Sequence, residues 1–198
     1  MDPLDPSAPL LFISGLFTGG NLPGTSKHCV CAKSPQTGIW NEATVGGHWP
    51  AEFRKTGFDG MVMTGRAPEL TLLLLTKNGV EFRSASALAG KDAYECGTLL
   101  KDKFSGRAKV AVIGPAGEKG VLISSIMFDP PISRVAARAG IGAVMGSKNL
   151  KAIVVEGDPA IQLSIARPEE YKAELKADIE EIRKNTTGLT NFGTSGGV

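Results

Sequence analysis

One segment of this 198-residue chain is written twice. The clearer copy is residues 140–157, GIGAVMGSKNLKAIVVEG, where Gly140, Gly142 and Gly146 crowd together. A Ser147-Lys148-Asn149 turn follows, then an apolar, strand-like run that stops at Gly157. The earlier copy starts at Gly46 and Gly47 and continues through residues 55–68, KTGFDGMVMTGRAP. Placing Phe58 on Leu150 puts Met61, Val62 and Met63 on Ile153, Val154 and Val155, and Gly65 on Gly157; each copy then reaches a proline, Pro68 or Pro159. A supersecondary unit used twice predicts two halves related by a pseudo-two-fold axis.

Glycines at this density free the backbone to take positive φ and to approach a ligand closely. Successive amides can then face an anion, with Lys148 adding a point charge beside them. Two readings stand at this point. The glycine segments are two loops forming a cradle for a large, roughly symmetric ligand with two phosphates, or they are turns and the repeat is only architectural.

Periodicity predicts strands over residues 10–13, 28–33, 60–64, 70–76, 80–83, 109–113 and 121–128. The run 60–83 reads as an antiparallel meander with Asn78-Gly79 as its hairpin turn. Helices are predicted over 51–56, 92–104 and 133–139, the last leading into the second glycine loop. Strands outnumber helices and pair mostly with sequence neighbours, so the fold class is α+β, not a doubly wound sheet. Beyond Gly157 a separate helix opens at Arg167-Pro168-Glu169-Glu170, with proline in its first turn and acids at the positive end of its dipole. Its narrow stripe of Tyr171, Leu175, Ile179 and Ile182 suits packing on a neighbouring domain, and NFGTSGGV reads as the start of another domain. The chain divides into a domain at 1–160 and a linker helix with the start of a further domain at 161–198.

A 42% apolar, 21% charged composition is that of a globular domain able to bury a core. A net charge of +2 argues against nucleic acid as the main partner. The most apolar run, residues 70–75, is strand-sized and too short for a membrane span, and the opening MDPLDPSAP lacks a signal-peptide pattern, which gives the cytoplasm as the expected compartment. His28, Cys29 and Cys31 could be taken for metal ligands. Strand alternation sends the two cysteines to one face and His28 to the other, so small buried thiols are the better reading for Cys29, Cys31 and the isolated Cys96.

The segments GIGAVMGSKNLKAIVV, AKSPQTG (32–38), FRKTGFDGMVMTGRA (53–67) and VAVIGPAGEKG (110–120) together resemble the N-terminal domain of the tungsten-dependent aldehyde:ferredoxin oxidoreductases, in order over residues 3–160. The resemblance implies two β-sheets related by an internal pseudo-two-fold, forming the base for a tungsten (or molybdenum) bis-pterin. It further implies a [4Fe-4S] cluster held by later domains, ferredoxin as electron acceptor, a possible homo-oligomer, and a family N-terminal segment preceding DPLDP. Since substrate and cluster residues belong to the later domains, this chain is expected to be inactive alone. Carried over position by position, Lys27 falls where relatives have an arginine bridging pterin and cluster. Thr44 and Ala143 fall at main-chain ligands of a magnesium that joins the pterin phosphates, flanked by Gly46, Gly47, Gly142 and Gly146. The lysine loses the planar fork of arginine, whereas a main-chain contact survives threonine. Around these, Trp40 and Trp49 could stack on a pterin, Arg134 and Arg138 could reach phosphate from a helix face, and His48 is an acid/base candidate without an identifiable partner.

Overall fold

The computed structural model describes residues 1–193; the expected opening of a further domain, NFGTSGGV, lies mostly outside the described residues. Residues 1–162 form one compact unit and 163–198 another. In the first unit, β1 (Leu10–Ser14), β2 (Lys27–Lys33), β3 (Trp40–Gly46) and β4 (Gly60–Met63) form an antiparallel sheet in the order β3-β2-β1-β4. Helix α1 (Trp49–Arg54) lies between β3 and β4 in the chain. A hairpin of β5 (Thr71–Thr76) and β6 (Gly79–Ser84) follows, then α2 (Ala93–Lys103). The chain continues through β7 (Lys109–Val112), α3 (Pro115–Glu118), β8 (Ile126–Phe128), β9 (Arg134–Ala136), α4 (Ile141–Ser147) and β10 (Leu150–Glu156). The second sheet runs β6-β5-β10-β7-β8-β9.

Without the hairpin, the second sheet reads β9-β8-β7-β10, the same order as β3-β2-β1-β4, and its pairs are also antiparallel. Helix α4 stands between β9 and β10 as α1 stands between β3 and β4. Gly57 and Asn149, superposed by the repeat, both turn the chain into its strand with positive φ, 90° and 54°; asparagine is among the few side chains that tolerate this. The duplication visible in the sequence is the architecture of the domain, an α+β fold of two related sheets.

The main core lies between the sheets. Leu10, Phe12, Val30, Ala43 and Val45 of the first meet Leu73, Ala111, Ile113, Phe128, Ile153 and Val155 of the second, with Trp49 and Phe53 of α1 and Ile141, Val144 and Met145 of α4 filling the space. Full burial of each large apolar side chain contributes about 1.5–3 kcal/mol. A second core sits on the far side of the larger sheet, where Ala93, Cys96 and Leu100 of α2 cover Leu72, Leu74, Val110, Val112, Ala152 and Val154. Strands covered on both faces read as continuous apolar runs, as β5 and β10 do. Helix α2 ends the hairpin unit with a capping box: the Asp92 carboxylate accepts from the amides of Tyr94 and Glu95, and Glu95 accepts from that of Asp92.

Four sequence expectations change. The predicted meander is split, because β4 pairs with β1 in the other sheet and only the β5–β6 hairpin at Asn78-Gly79 remains. The helix expected over 133–139 is strand β9 and a turn; Ser133 and Ala139 carry positive φ, 57° and 54°, which a right-handed helix excludes. The strand expected over 121–128 shortens to β8, since the amides of Val121 and Ser124 are used in turns to Ala116 and Val121. The second glycine loop is helix α4. Strand β3 lies outside every strand range expected from the sequence.

Candidate functional site

Strands β3 and β9 are the facing edges of the two sheets, and two polar contacts lock the repeats together beside them. Ser34, the first residue beyond β2, is fully buried; its Oγ donates to the Ala139 carbonyl at 2.9 Å and accepts from the amides of Gln36 and Thr37. Asp129, the first residue beyond β8, accepts through Oδ2 from the amides of His48 at 3.0 Å and Trp49 at 2.8 Å. That carboxylate caps α1, whose own N-cap residue His48 makes no side-chain cap. Each repeat therefore holds the start of the other's helix. Burial pushes the Asp129 carboxyl above its ordinary range, opposed by the two amides.

Five of the residues singled out in the sequence meet at this edge. Exposed Lys27 lies opposite Gly46 in the β2–β3 ladder, and exposed Thr44 lies opposite Cys29, with Sγ and Oγ1 3.5 Å apart. Ser26 Oγ donates to the Gly47 carbonyl at 2.7 Å. Gly47 has φ of 113°, and a Cβ there would come within 3.0 Å of Arg134 Cγ. Arg134 thus brings a guanidinium stem against the glycine pair from β9, although from a strand and not from a helix. Gly46 is different: its φ is ordinary and a Cβ would meet nothing closer than the Ser26 carbonyl at 3.6 Å. No packing constraint accounts for glycine at 46. Further along the seam, Asn41 Nδ2 donates to the carbonyl of exposed Arg138 at 3.3 Å.

Gly142, Ala143 and Gly146 are placed elsewhere, inside α4. Gly142 and Ala143 are buried in it. A Cβ at Gly142 would sit 2.6 Å from the Ser125 carbonyl oxygen, and one at Gly146 would strike the Gly117 carbonyl. These glycines let α4 lie directly on α3 and on residues 124–125. Lys148 does not stand beside an open anion site: it is buried, its Nζ donates to the carbonyls of Pro6 at 3.0 Å and Ala8 at 2.6 Å, and burial lowers its pKa. The repeat supplies a different mate for Thr44. Thr44 pairs with Cys29 as Val135 pairs with Met127, which makes Val135 on β9 its counterpart.

Trp49 belongs to the core, stacked on Phe53 at 5.0 Å and packed on His28 at 4.9 Å, so it offers no face to a ligand. Trp40 is half-exposed and donates to Glu42; His48 is exposed at the start of α1. His28 is buried against Phe12, Trp49 and Phe128, on the face of β2 opposite to Cys29 and Cys31. Burial, with the neighbouring Cys29 and Glu42, pushes the Cys31 thiol up to about 11. Among the described residues no three His, Cys, Asp or Glu side chains converge as a metal site would require. Ser34 and Asp129 were passed over in the sequence, yet Ser34-Pro35 and Asp129-Pro130-Pro131 mark two corresponding turns.

The family model of the aldehyde ferredoxin oxidoreductase N-terminal domain matches residues 1–157. The chain belongs to this family. Similar proteins include the tungsten-containing aldehyde ferredoxin oxidoreductases of Pyrococcus furiosus, 37% identical over 199 residues, and of Thermococcus kodakarensis, 37% over 198; each alignment takes in 98% of this chain and 32% of the relative. A more distant relative is the WOR-like subunit of an aliphatic sulfonate oxidoreductase of Pyrococcus furiosus, at 31%. Among solved structures, the active-site complex BamBC of benzoyl coenzyme A reductase, in complex with 1,5-dienoyl-CoA, matches with a TM-score of 0.87 and 38% identity, over 93% of this chain and 28% of that one. The chain spans about a third of the length of these curated relatives. No helix among the described residues is long and apolar enough to cross a membrane.

Proposed function

We propose that residues 1–160 are the base on which a tungsten (or molybdenum) bis-pterin sits in a larger oxidoreductase, and that the β3–β9 seam is its phosphate-facing edge. The observation that carries this is Gly46: a glycine that the fold does not require, paired with exposed Lys27 and next to Gly47 and Arg134. Removing the side chain leaves room for a ligand against the backbone, and the ammonium and guanidinium supply the charge that phosphates demand. When bound, such a cofactor supplies two-electron redox chemistry, the protein positioning and tuning it. A magnesium joining the pterin phosphates prefers oxygen ligands. Thr44 on the exposed face of β3 suits one main-chain contact. Ala143 is buried in α4, so Val135, the repeat-mate of Thr44, is the better second position.

The parent reaction in this reading is oxidation of an aldehyde with water to a carboxylate, electrons passing through a [4Fe-4S] cluster in the remaining domains to ferredoxin. A second reading, reduction of an aromatic acyl-CoA, draws support from the benzoyl-CoA reductase neighbour at 38% identity. Both need the same base. The test is tungsten and pterin content after production with tungstate, for the chain alone and together with the rest of its parent enzyme. Gly46→Val and Lys27→Ala are expected to lower cofactor retention at least tenfold with an unchanged melting temperature. Full retention in both variants would remove the seam from the cofactor site.

A further inference from the structure

Asp129 spends one carboxylate oxygen on the amides of His48 and Trp49. Its other oxygen, Oδ1, is buried without a hydrogen-bond partner, on a side chain that is only 7% exposed. A buried acceptor left unpaired is costly, so a donor is expected in the space beside it. That space is a cavity of about 230 Å³ between the second half of α2, the start of β7, the turn after β8 and His48. Its frame is tight: a Cβ on Gly97 of α2 would come within 2.8 Å of Pro130 Cβ. Lys101, Ser105 and Lys109 also line it, and the side chain of none of the three makes a hydrogen bond or salt bridge among the described residues. Lys27, Gly46 and Arg134 of the seam are not in its wall. One cavity therefore holds two unpaired ammonium groups, a free hydroxyl and an orphaned carboxylate oxygen.

We propose that this cavity binds a tetrahedral oxyanion that keeps a proton at neutral pH, with hydrogen phosphate as the type. Its anionic oxygens take the Lys101 and Lys109 ammonium groups and the Ser105 hydroxyl, and its O–H donates to Asp129 Oδ1. Other occupants answer only half of the wall. A metal ion satisfies Oδ1 but faces two ammonium groups, and no three ligating side chains converge here among the described residues. Water satisfies Oδ1 and leaves both lysines unanswered. Sulfate suits the lysines but has no proton, so it sets lone pairs against lone pairs at Oδ1. Size sets a further limit, because drug-sized ligands fill pockets of about 300–1,000 Å³ and this one is smaller. A purely structural use of the cations falls short. Lys101 and Lys103 both complement the negative end of α2, but Lys109 stands on strand β7, where no comparable dipole calls for it. The inference stands independently of any cofactor.

The probes are inorganic phosphate and sulfate, titrated into the intact chain at pH 7 by calorimetry and followed by amide chemical shifts. Expected is one phosphate per chain, bound at least tenfold more tightly than sulfate, since a site built to pair an O–H rejects the analogue that lacks it. The shifts should centre on Ser105, Gly106 and Lys109. Lys101→Ala and Lys109→Ala should each weaken phosphate at least tenfold with unchanged melting temperatures, because neither side chain is bonded within the chain. Asp129→Asn gives the sharpest reading. The amides of His48 and Trp49 still need an oxygen, so the asparagine turns its NH2 to the cavity. Sulfate should then bind at least as well as phosphate. Absence of phosphate binding would overturn the proposal, as would equal affinity for the two anions in the parent chain or a preference for phosphate that survives in Asp129→Asn. So would shifts confined to Gly46 and Gly47, which would assign the anion to the seam.

Discussion

At the scale of single residues, burial sets the predictions. His28 sits among aromatic rings, and burial lowers its pKa from 6.5 to about 3, a backbone contact with Val45 acting in the other sense. The unfolded chain takes up this proton below pH 6.5, whereas the folded chain resists it until about pH 3. Stability is therefore intact above 6.5 and falls as the pH drops through the window from 6.5 to 3, by up to about 1.4 kcal/mol per pH unit. Urea melts at pH 7, 5 and 4 should show a shallower decline in His28→Phe than in the parent; parallel declines would sink the assignment. The two repeat-locking side chains give a second prediction. Asp129→Ala strips two amides at the start of α1 of their acceptor and should cost about 1–2 kcal/mol, with Asp129→Asn recovering part of it. Ser34→Ala should cost about 1 kcal/mol at the other turn. Thermal melts check both, and unchanged melting in Asp129→Ala would mean the cap contributes nothing.

Elements differ in how far the sequence exposes them. The hairpin with Asn78-Gly79 and the helix α2 could be read directly, because turn chemistry, capping and periodicity agree there. Strand β3 could not. It is an edge strand whose outward positions are Trp40, Glu42 and Thr44, leaving only Ala43 and Val45 as buried signal, and it carries two of the candidate site residues. Helix α4 is hidden in the sequence by its glycines, which pack a helix against backbone while carrying the pattern of a ligand loop. Local pattern cannot separate those uses of glycine; only the neighbour that a Cβ would strike can. The candidate residues divide too: Lys27, Thr44, Gly46 and Gly47 lie together at the β3 edge, whereas Gly142, Ala143 and Gly146 lie in α4, and Ser34 and Asp129 act across the repeat boundary. In helix α5 (Pro168–Asn185) none of the residues is buried. Ending the chain after Gln162 should then shift the melting temperature of the first unit by less than about 2 °C. A larger loss in calorimetry would show that the helix contributes to that unit.

For the molecule as a whole, the decisive property is that neither repeat owns its core. Phe12 of the first repeat contacts Phe128 of the second at 6.3 Å as well as Trp49 at 5.7 Å and His28, and the inter-sheet cluster draws on every strand pair of both. Two sheets that share one apolar interior cannot unfold separately without exposing it, so residues 1–162 should behave as a single cooperative unit. Phe12→Ala removes a fully buried ring and should cost about 3–5 kcal/mol. At roughly 2–4 °C per kcal/mol for a domain of this size, the melting temperature should fall by about 10 °C. The location of the loss is the sharper test. Native-state amide exchange in Phe12→Ala should weaken equally in β1, where the substitution sits, and in β10, which lies in the other sheet. Loss confined to β1–β4 with full protection in β10 would mean that each repeat folds on its own, and that the duplication is two domains placed side by side.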